Sequence, residues 1–124
     1  MITFYKNYFH NADSRGLIKG IINEGNWQEI NYFETNKNQI RAEHYHKETD
    51  ELFIILKGKI KITLEKLDNN GNRSSKKENY EIKKNDIFII SRMTFHVFEI
   101  LENSIWINAL SKKMDLSNPD IHSI

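Results

Sequence analysis

The chain has 124 residues, 39% hydrophobic and 28% charged, with 18 lysines and arginines against 17 acids and a formal net charge of +1. That is the composition of one globular domain with enough apolar surface for its own core, and the balanced charge excludes the basic footprint of a nucleic-acid or anionic-membrane binder. Because there is no cysteine, disulfide frameworks, thiolate metal sites and cysteine nucleophiles are excluded too.

Met1 to Gly16 lacks the apolar core of a secretory signal, and no apolar run approaches the roughly 20 residues of a membrane helix. A soluble cytoplasmic protein with no membrane partner is the expectation. From there the chain reads as short strands. Ile2 to Phe9, Leu17 to Ile22, Trp27 to Phe33 and Gln39 to Tyr45 come first, separated by Asn, Gly, Asp and Ser clusters. Leu52 to Leu56 is apolar on both faces, which predicts a central strand covered on both sides or one that sits at a subunit interface. Lys59 to Glu65 alternates strictly, placing Ile60, Ile62 and Leu64 on one face and the charges on the other. In the Asp68 to Asn72 cluster, Asn70-Gly71 offers the positive φ angles of a tight hairpin. Lys76 to Asn79 reads as a solvated loop, and strands follow at Tyr80 to Ile82, Ile87 to Ser91, Phe95 to Leu101 and Ile105 to Leu110. Trp27 and Trp106 are expected in the core. His10 and His122 read as exposed. Pro119 discourages regular structure near the end, so we read residues 1–111 as one domain and 112–124 as a tail. Many short strands at close spacing predict an all-β sandwich or barrel.

The stretch His44-Tyr45-His46-Lys47-Glu48-Thr49-Asp50-Glu51 carries the chemistry. Side chains at i and i+2 of a strand share a face, so His44 and His46 project together. Lys47 to Asp50 is polar enough for a turn, and a hairpin there would return the Glu51 carboxylate to the two imidazoles. Gly58 suits the bend before the next strand. His96, at the start of Phe95 to Leu101, is a candidate fourth group from farther along the chain.

The spacing His44, one residue, His46, four residues, Glu51, six residues, Gly58 resembles the first motif of the cupin superfamily. Asn85-Asp86-Ile87-Phe88-Ile89-Ile90 with His96 resembles its second motif. Here Asn85 stands where glycine is usual, Ser91-Arg92-Met93 where a Pro-x-Gly turn is usual, and Ile100 where asparagine is usual. The resemblance implies a double-stranded β-helix, or jelly-roll barrel, with a short C-terminal extension. It also implies a metal site of His44, His46, Glu51 and His96, whose donors suit Mn, Fe, Co, Ni, Cu or Zn, and no organic cofactor. Small cupins commonly dimerise by covering an edge such as Ile2 to Phe9, so a homodimer is expected.

A narrower resemblance uses some of the same residues. Asp13-Ser14-Arg15-Gly16 and Arg41-Ala42-Glu43-His44-Tyr45-His46-Lys47 are similar to stretches of cupins that epimerise or ketoisomerise deoxysugar nucleotides, with Ala42 in place of a glycine. It implies His44 as catalytic base with His46 as partner, since imidazole both takes and gives a proton near neutral pH. It implies Arg15 and Arg41 as diphosphate-binding residues, for which a guanidinium fork is suited. The first reading is therefore an isomerase or epimerase of a 4-keto sugar nucleotide in polysaccharide biosynthesis. Two others stay open: a divalent-metal-dependent oxygenase using Fe(II) and dioxygen, and a non-catalytic cupin that binds a small ligand.

Overall fold

The alternation at Ile60, Ile62 and Leu64 becomes the inner face of a nine-residue strand in a computed structural model that describes residues 1–124. Eleven strands and no helix make up the chain: β1 (Ile2–Tyr5), β2 (Phe9–Asp13), β3 (Gly16–Gly20), β4 (Glu29–Thr35), β5 (Ile40–His44), β6 (Glu51–Lys57), β7 (Lys59–Leu67), β8 (Arg73–Lys83), β9 (Ile87–Ile90), β10 (Thr94–Ile100) and β11 (Ser104–Leu110). A five-stranded sheet runs β1-β9-β6-β11-β4, a four-stranded sheet runs β5-β10-β7-β8, and β2 and β3 pair only with each other. All pairings between strands are antiparallel.

The two sheets enclose a core in which Phe53 and Ile55 of β6, Phe88 and Ile90 of β9 and Trp106 of β11 meet Ile60, Ile62 and Leu64 of β7 and Phe98 and Ile100 of β10. Each fully buried aliphatic side chain there contributes about 1.5–3 kcal/mol. The outer face of β6 is covered as well. Leu52 is buried with Ile87 and Ala109, and Ile21, Ile22, Trp27 and Ile54 pack against them, which accounts for the apolar residues on both faces of this strand.

Several expected elements change shape. The single strand read over Ile2 to Phe9 is two: β1 pairs with β9, and β2 turns away into the hairpin with β3. Lys76 to Asn79 is not a loop but part of the long β8, held at the sheet edge by its ladder to β7. Its side chains are largely exposed and polar, so no hydrophobic period marks it. In the turn between β7 and β8 only Gly71 has a positive φ, of 82°, because Asp68 organises a five-residue loop by accepting from the amides of Asn70 and Asn72 at 2.8 and 2.9 Å.

The most consequential correction concerns β5 and β6, which do not form a hairpin. They belong to opposite sheets, and residues 45–50 carry the chain across the end of the sandwich. Gly58 makes the return crossing at φ 102°, where a Cβ would lie 2.7 Å from Ser104 Cα.

Three positions where the resemblance has glycine keep the backbone that glycine favours while carrying a side chain. Ala42, Asn85 and Met93 have φ values of 69°, 79° and 61°. Ala42 and Glu43 (φ 62°) form a bulge in β5, where the register with β10 slips between His96 and Val97. A left-handed alanine costs about 1–2 kcal/mol. Ala42→Gly is therefore expected to raise the unfolding free energy by about 1 kcal/mol after the loss of its partly buried methyl, measured as a shift of the urea midpoint without change of slope.

Candidate active site

The bulge and the crossing bring four side chains from both sheets together. His44 ends β5, His46 lies two residues beyond it, His96 comes from β10, and Glu51 begins β6 opposite them. One ligand atom from each lies within 4.8 Å of the others. The ring centroids of His44 are 4.8 Å from His46 and 4.9 Å from His96. His46, Glu51 and His96 are buried, while His44 is only partly so. The candidate metal set thus converges, with the carboxylate arriving across the interior instead of along a hairpin.

Hydrogen bonds settle which nitrogens face inward. The Nδ1–H of His96 donates to the Thr94 carbonyl at 2.9 Å, and the Nδ1–H of His46 donates to the Asp120 carbonyl. Carbonyl oxygens only accept, so both rings carry Nδ1–H and turn Nε2 toward Glu51 Oε1. His46 Nε2 is hydrogen-bonded to that oxygen, and His96 Nε2 lies 3.3 Å from it. Glu51 Oε2 accepts from Asn108 Nδ2 at 2.8 Å. Two imidazole lone pairs and a carboxylate oxygen converging on one point need a cation between them, either a proton or a metal ion.

The titrations follow from this geometry. Burial resists charge on His46, but the hydrogen bond and charge of Glu51 overcome it and raise its pKa. Burial alone would raise the Glu51 carboxyl; hydrogen bonds from His46 and His96 and their charge instead hold it well below the ordinary carboxylate range. His44 behaves oppositely. Burial, then the charges of His96 and His46, lower it to about 4, so its imidazole is neutral at physiological pH.

His44 also faces a small cavity of about 60 Å³ whose lining includes Arg41, Phe33, Trp106 and Asn108. Arg41 is pinned at its rim by bonds from Nε to Thr35 Oγ1 at 3.0 Å and from Nη2 to the Glu34 carbonyl at 3.2 Å, with its guanidinium 5.7 Å over the Phe33 ring. Arg15 is not brought here. It lies by the turn of the β2–β3 hairpin, ion-paired to Asp13 at 2.7 Å, with its side chain 87% exposed.

Asn108 and Asp120 were not singled out from sequence. Asp120, in the tail after β11, closes the crossing loop: its carboxylate accepts from the amides of Lys47 and Glu48 and from Thr49 Oγ1, each at 2.8 Å. Tyr45 and His122 add a β-bridge alongside. Partial burial of Asp120 is outweighed by those amide bonds, which lower its pKa to about 2. A depressed carboxyl stabilises above its ordinary value of 3.8 and loses that contribution as pH falls through about 2. Asp120→Ala is expected to cost about 2 kcal/mol at pH 7, a deficit that shrinks toward pH 2 when unfolding is followed by circular dichroism.

Antiparallel strands folded into two facing sheets, with three histidines and a glutamate clustered at one end, define a cupin barrel. A model of the family described as polysaccharide biosynthesis C-terminal domain matches residues 11–114, and the chain belongs to that family. Solved structures share the fold. A mutant of the 3,4-ketoisomerase QdtA from Thermoanaerobacterium thermosaccharolyticum, in complex with TDP-4-keto-6-deoxyglucose, has a TM-score of 0.74 at 17% identity, over 94% of this chain and 84% of that one. The dTDP-4-dehydrorhamnose 3,5-epimerase from Elizabethkingia anophelis NUHP1 has a TM-score of 0.77 at 17% identity, over 99% of this chain and 80% of that one. A 3,4-ketoisomerase from Helicobacter canadensis has a TM-score of 0.72 at 17% identity, over 97% and 88%. No curated protein matches the chain in sequence. No helix is long and apolar enough to cross a membrane.

Proposed function

We propose that the protein is an isomerase or epimerase of a 4-keto sugar nucleotide in polysaccharide biosynthesis, and that His44 is its base. The observation that carries this reading is an imidazole kept neutral and turned into a pocket beside a pinned arginine. The fold shared with sugar-nucleotide ketoisomerases and epimerases supports it.

The chemistry asks for proton transfer next to a ketone. His44 takes the proton from the carbon α to the carbonyl. The C–H pair becomes the C=C bond of an enediolate, whose negative charge rests on the former carbonyl oxygen. Return of a proton to the same carbon from the other face is epimerisation. Return to the neighbouring carbon, as the adjacent hydroxyl becomes C=O, is ketoisomerisation. A pKa of about 4 keeps His44 unprotonated when the substrate arrives and favours return of the proton. It also makes His44 a weaker base for the first step than an ordinary imidazole. His46, tied at both ring nitrogens, serves as the charged partner that fixes Glu51, and Arg41 offers its remaining N–H groups to the diphosphate.

The donor set also fits a divalent transition metal, held by Nε2 of His46 and His96, Glu51 and His44. Such an ion would supply Lewis-acid polarisation of the ketone. His44 would then be a ligand through the nitrogen it needs as a base, and the two roles exclude each other at that atom. Incubation with TDP-4-keto-6-deoxyglucose in deuterium oxide tests the reading: deuterium at the carbon next to the ketone is the expected result, and silence across a panel of 4-keto sugar nucleotides overturns it. Metal analysis of untagged protein separates the two roles of His44.

A homodimer is part of the proposal. β4 is an open edge of the five-stranded sheet and exposes Ile30 (72%) and Tyr32 (58%). Sedimentation should give twice 14.8 kDa.

A further inference from the structure

Strand β11 turns Ser104, Trp106, Asn108 and Leu110 toward the interior. Two of these carry polar atoms that meet no protein partner: Trp106 Nε1 and Asn108 Oδ1. Trp106 is 1% exposed and Asn108 4%. A buried donor or acceptor left unpaired costs stability, and a phenylalanine at 106 would fill the same wall without that cost. Both residues line the cavity that His44 faces, between Phe33, Phe53 and Phe98.

Their orientation is set by what surrounds them. The Trp106 ring stacks on Phe33, with centroids 5.1 Å apart and an interplanar angle of 10°, and lies 5.9 Å from Phe98. Asn108 must turn Nδ2 to Glu51, because a carboxylate only accepts. Its Oδ1 is thereby committed as an acceptor. Two residues that line one wall of the pocket therefore carry a fixed N–H donor and a fixed C=O acceptor, both buried and unpaired. They are two residues apart on one face of a strand, a spacing of about 7 Å at the backbone.

We infer that Trp106 and Asn108 form the subsite that reads the reacting end of the ligand, Trp106 Nε1–H donating to a carbonyl oxygen and Asn108 Oδ1 accepting from the adjacent hydroxyl. The ligand class is an α-hydroxyketone, and the inference rests on reading this pocket as a sugar-nucleotide site.

The test uses ¹⁵N-labelled full-length protein, whose two tryptophans give two indole N–H resonances. Trp27 Nε1 already donates to the Glu24 carbonyl at 3.0 Å and serves as the internal reference. Titration with TDP-4-keto-6-deoxyglucose is expected to move the Trp106 indole proton downfield, while dTDP alone leaves it in place. Trp106→Phe is expected to lose about tenfold in affinity for the keto sugar nucleotide and nothing for dTDP. An unmoved indole in a protein that turns the sugar over overturns the inference and spares the proposed activity. A moved indole without turnover supports the inference and overturns the activity. An unmoved indole without turnover overturns both. If the variant does not fold, the wild-type resonance decides alone.

Discussion

His44→Ala is expected to lower solvent-deuterium exchange at the carbon next to the ketone by about 10²–10⁴-fold, with the affinity for dTDP unchanged. Three features of the site set this expectation. His44 is the partly exposed member of a cluster whose other three side chains are buried. Burial and neighbouring charge alone govern its titration, and at about 4 it is neutral when the substrate arrives. It faces the cavity that Trp106 and Asn108 line from the opposite sheet. The variant has a second signature. Between about 4 and the ordinary value of 6.5 the unfolded chain binds a proton at His44 that the folded one refuses, so wild-type stability rises with pH across that window. Removal of the imidazole should flatten this limb and make the variant more acid-tolerant than the parent, by about 1–2 kcal/mol near pH 4 once the partial exposure of the ring is allowed for. Thermal unfolding at pH 4 and pH 7 reads this directly. Loss of exchange together with bound metal, in place of loss of exchange alone, would reassign His44 from base to ligand.

The motif around His44 was legible because its spacing is local, yet the route by which it assembles was not. Two strands joined by a short polar segment read as a hairpin. The pattern of residues 45–50 contains nothing that assigns β5 and β6 to different sheets; that choice is made by ladders to β10 and β11, some 50 residues away. Positions 42, 85 and 93 teach a related lesson. Each departs from glycine in sequence while keeping a positive φ in the fold, so the surrounding ladder imposes the bend and the side chain bears the strain. Of β8 only Tyr80 to Ile82 was legible; the part before Tyr80 was missed because an exposed edge strand has no apolar alternation to betray it. Asn108 did leave a signal: a polar residue on the inward side of Ser104 to Leu110, between Trp106 and Leu110, is what a site in an apolar wall looks like. Asp120 left none, since apart from its pairing with His122 its bonds run to residues more than 70 positions earlier.

Glu51→Ala should be the most destabilising single change at the site, by about 3–4 kcal/mol. Its carboxylate lies against both buried imidazoles, and its removal leaves His46 Nε2 and Asn108 Nδ2 without the acceptors they have now. The pH dependence distinguishes this from simple loss of packing. Glu51 has a depressed pKa, so its contribution is present above the ordinary value of 4.5 and fades as pH falls below it. His46 has a raised pKa, so its contribution is complete below 6.5 and fades as pH climbs through its folded value. The pair is therefore worth most between 4.5 and 6.5, and the gap between wild type and variant should peak in that window and narrow on both sides. A cavity would instead give a gap indifferent to pH. Cobalt(II) or zinc(II) provides the complementary measurement. Either ion should raise the midpoint of the wild type as its concentration exceeds the dissociation constant. It should do less for Glu51→Ala, which keeps the three imidazoles but loses the one anionic donor of the set.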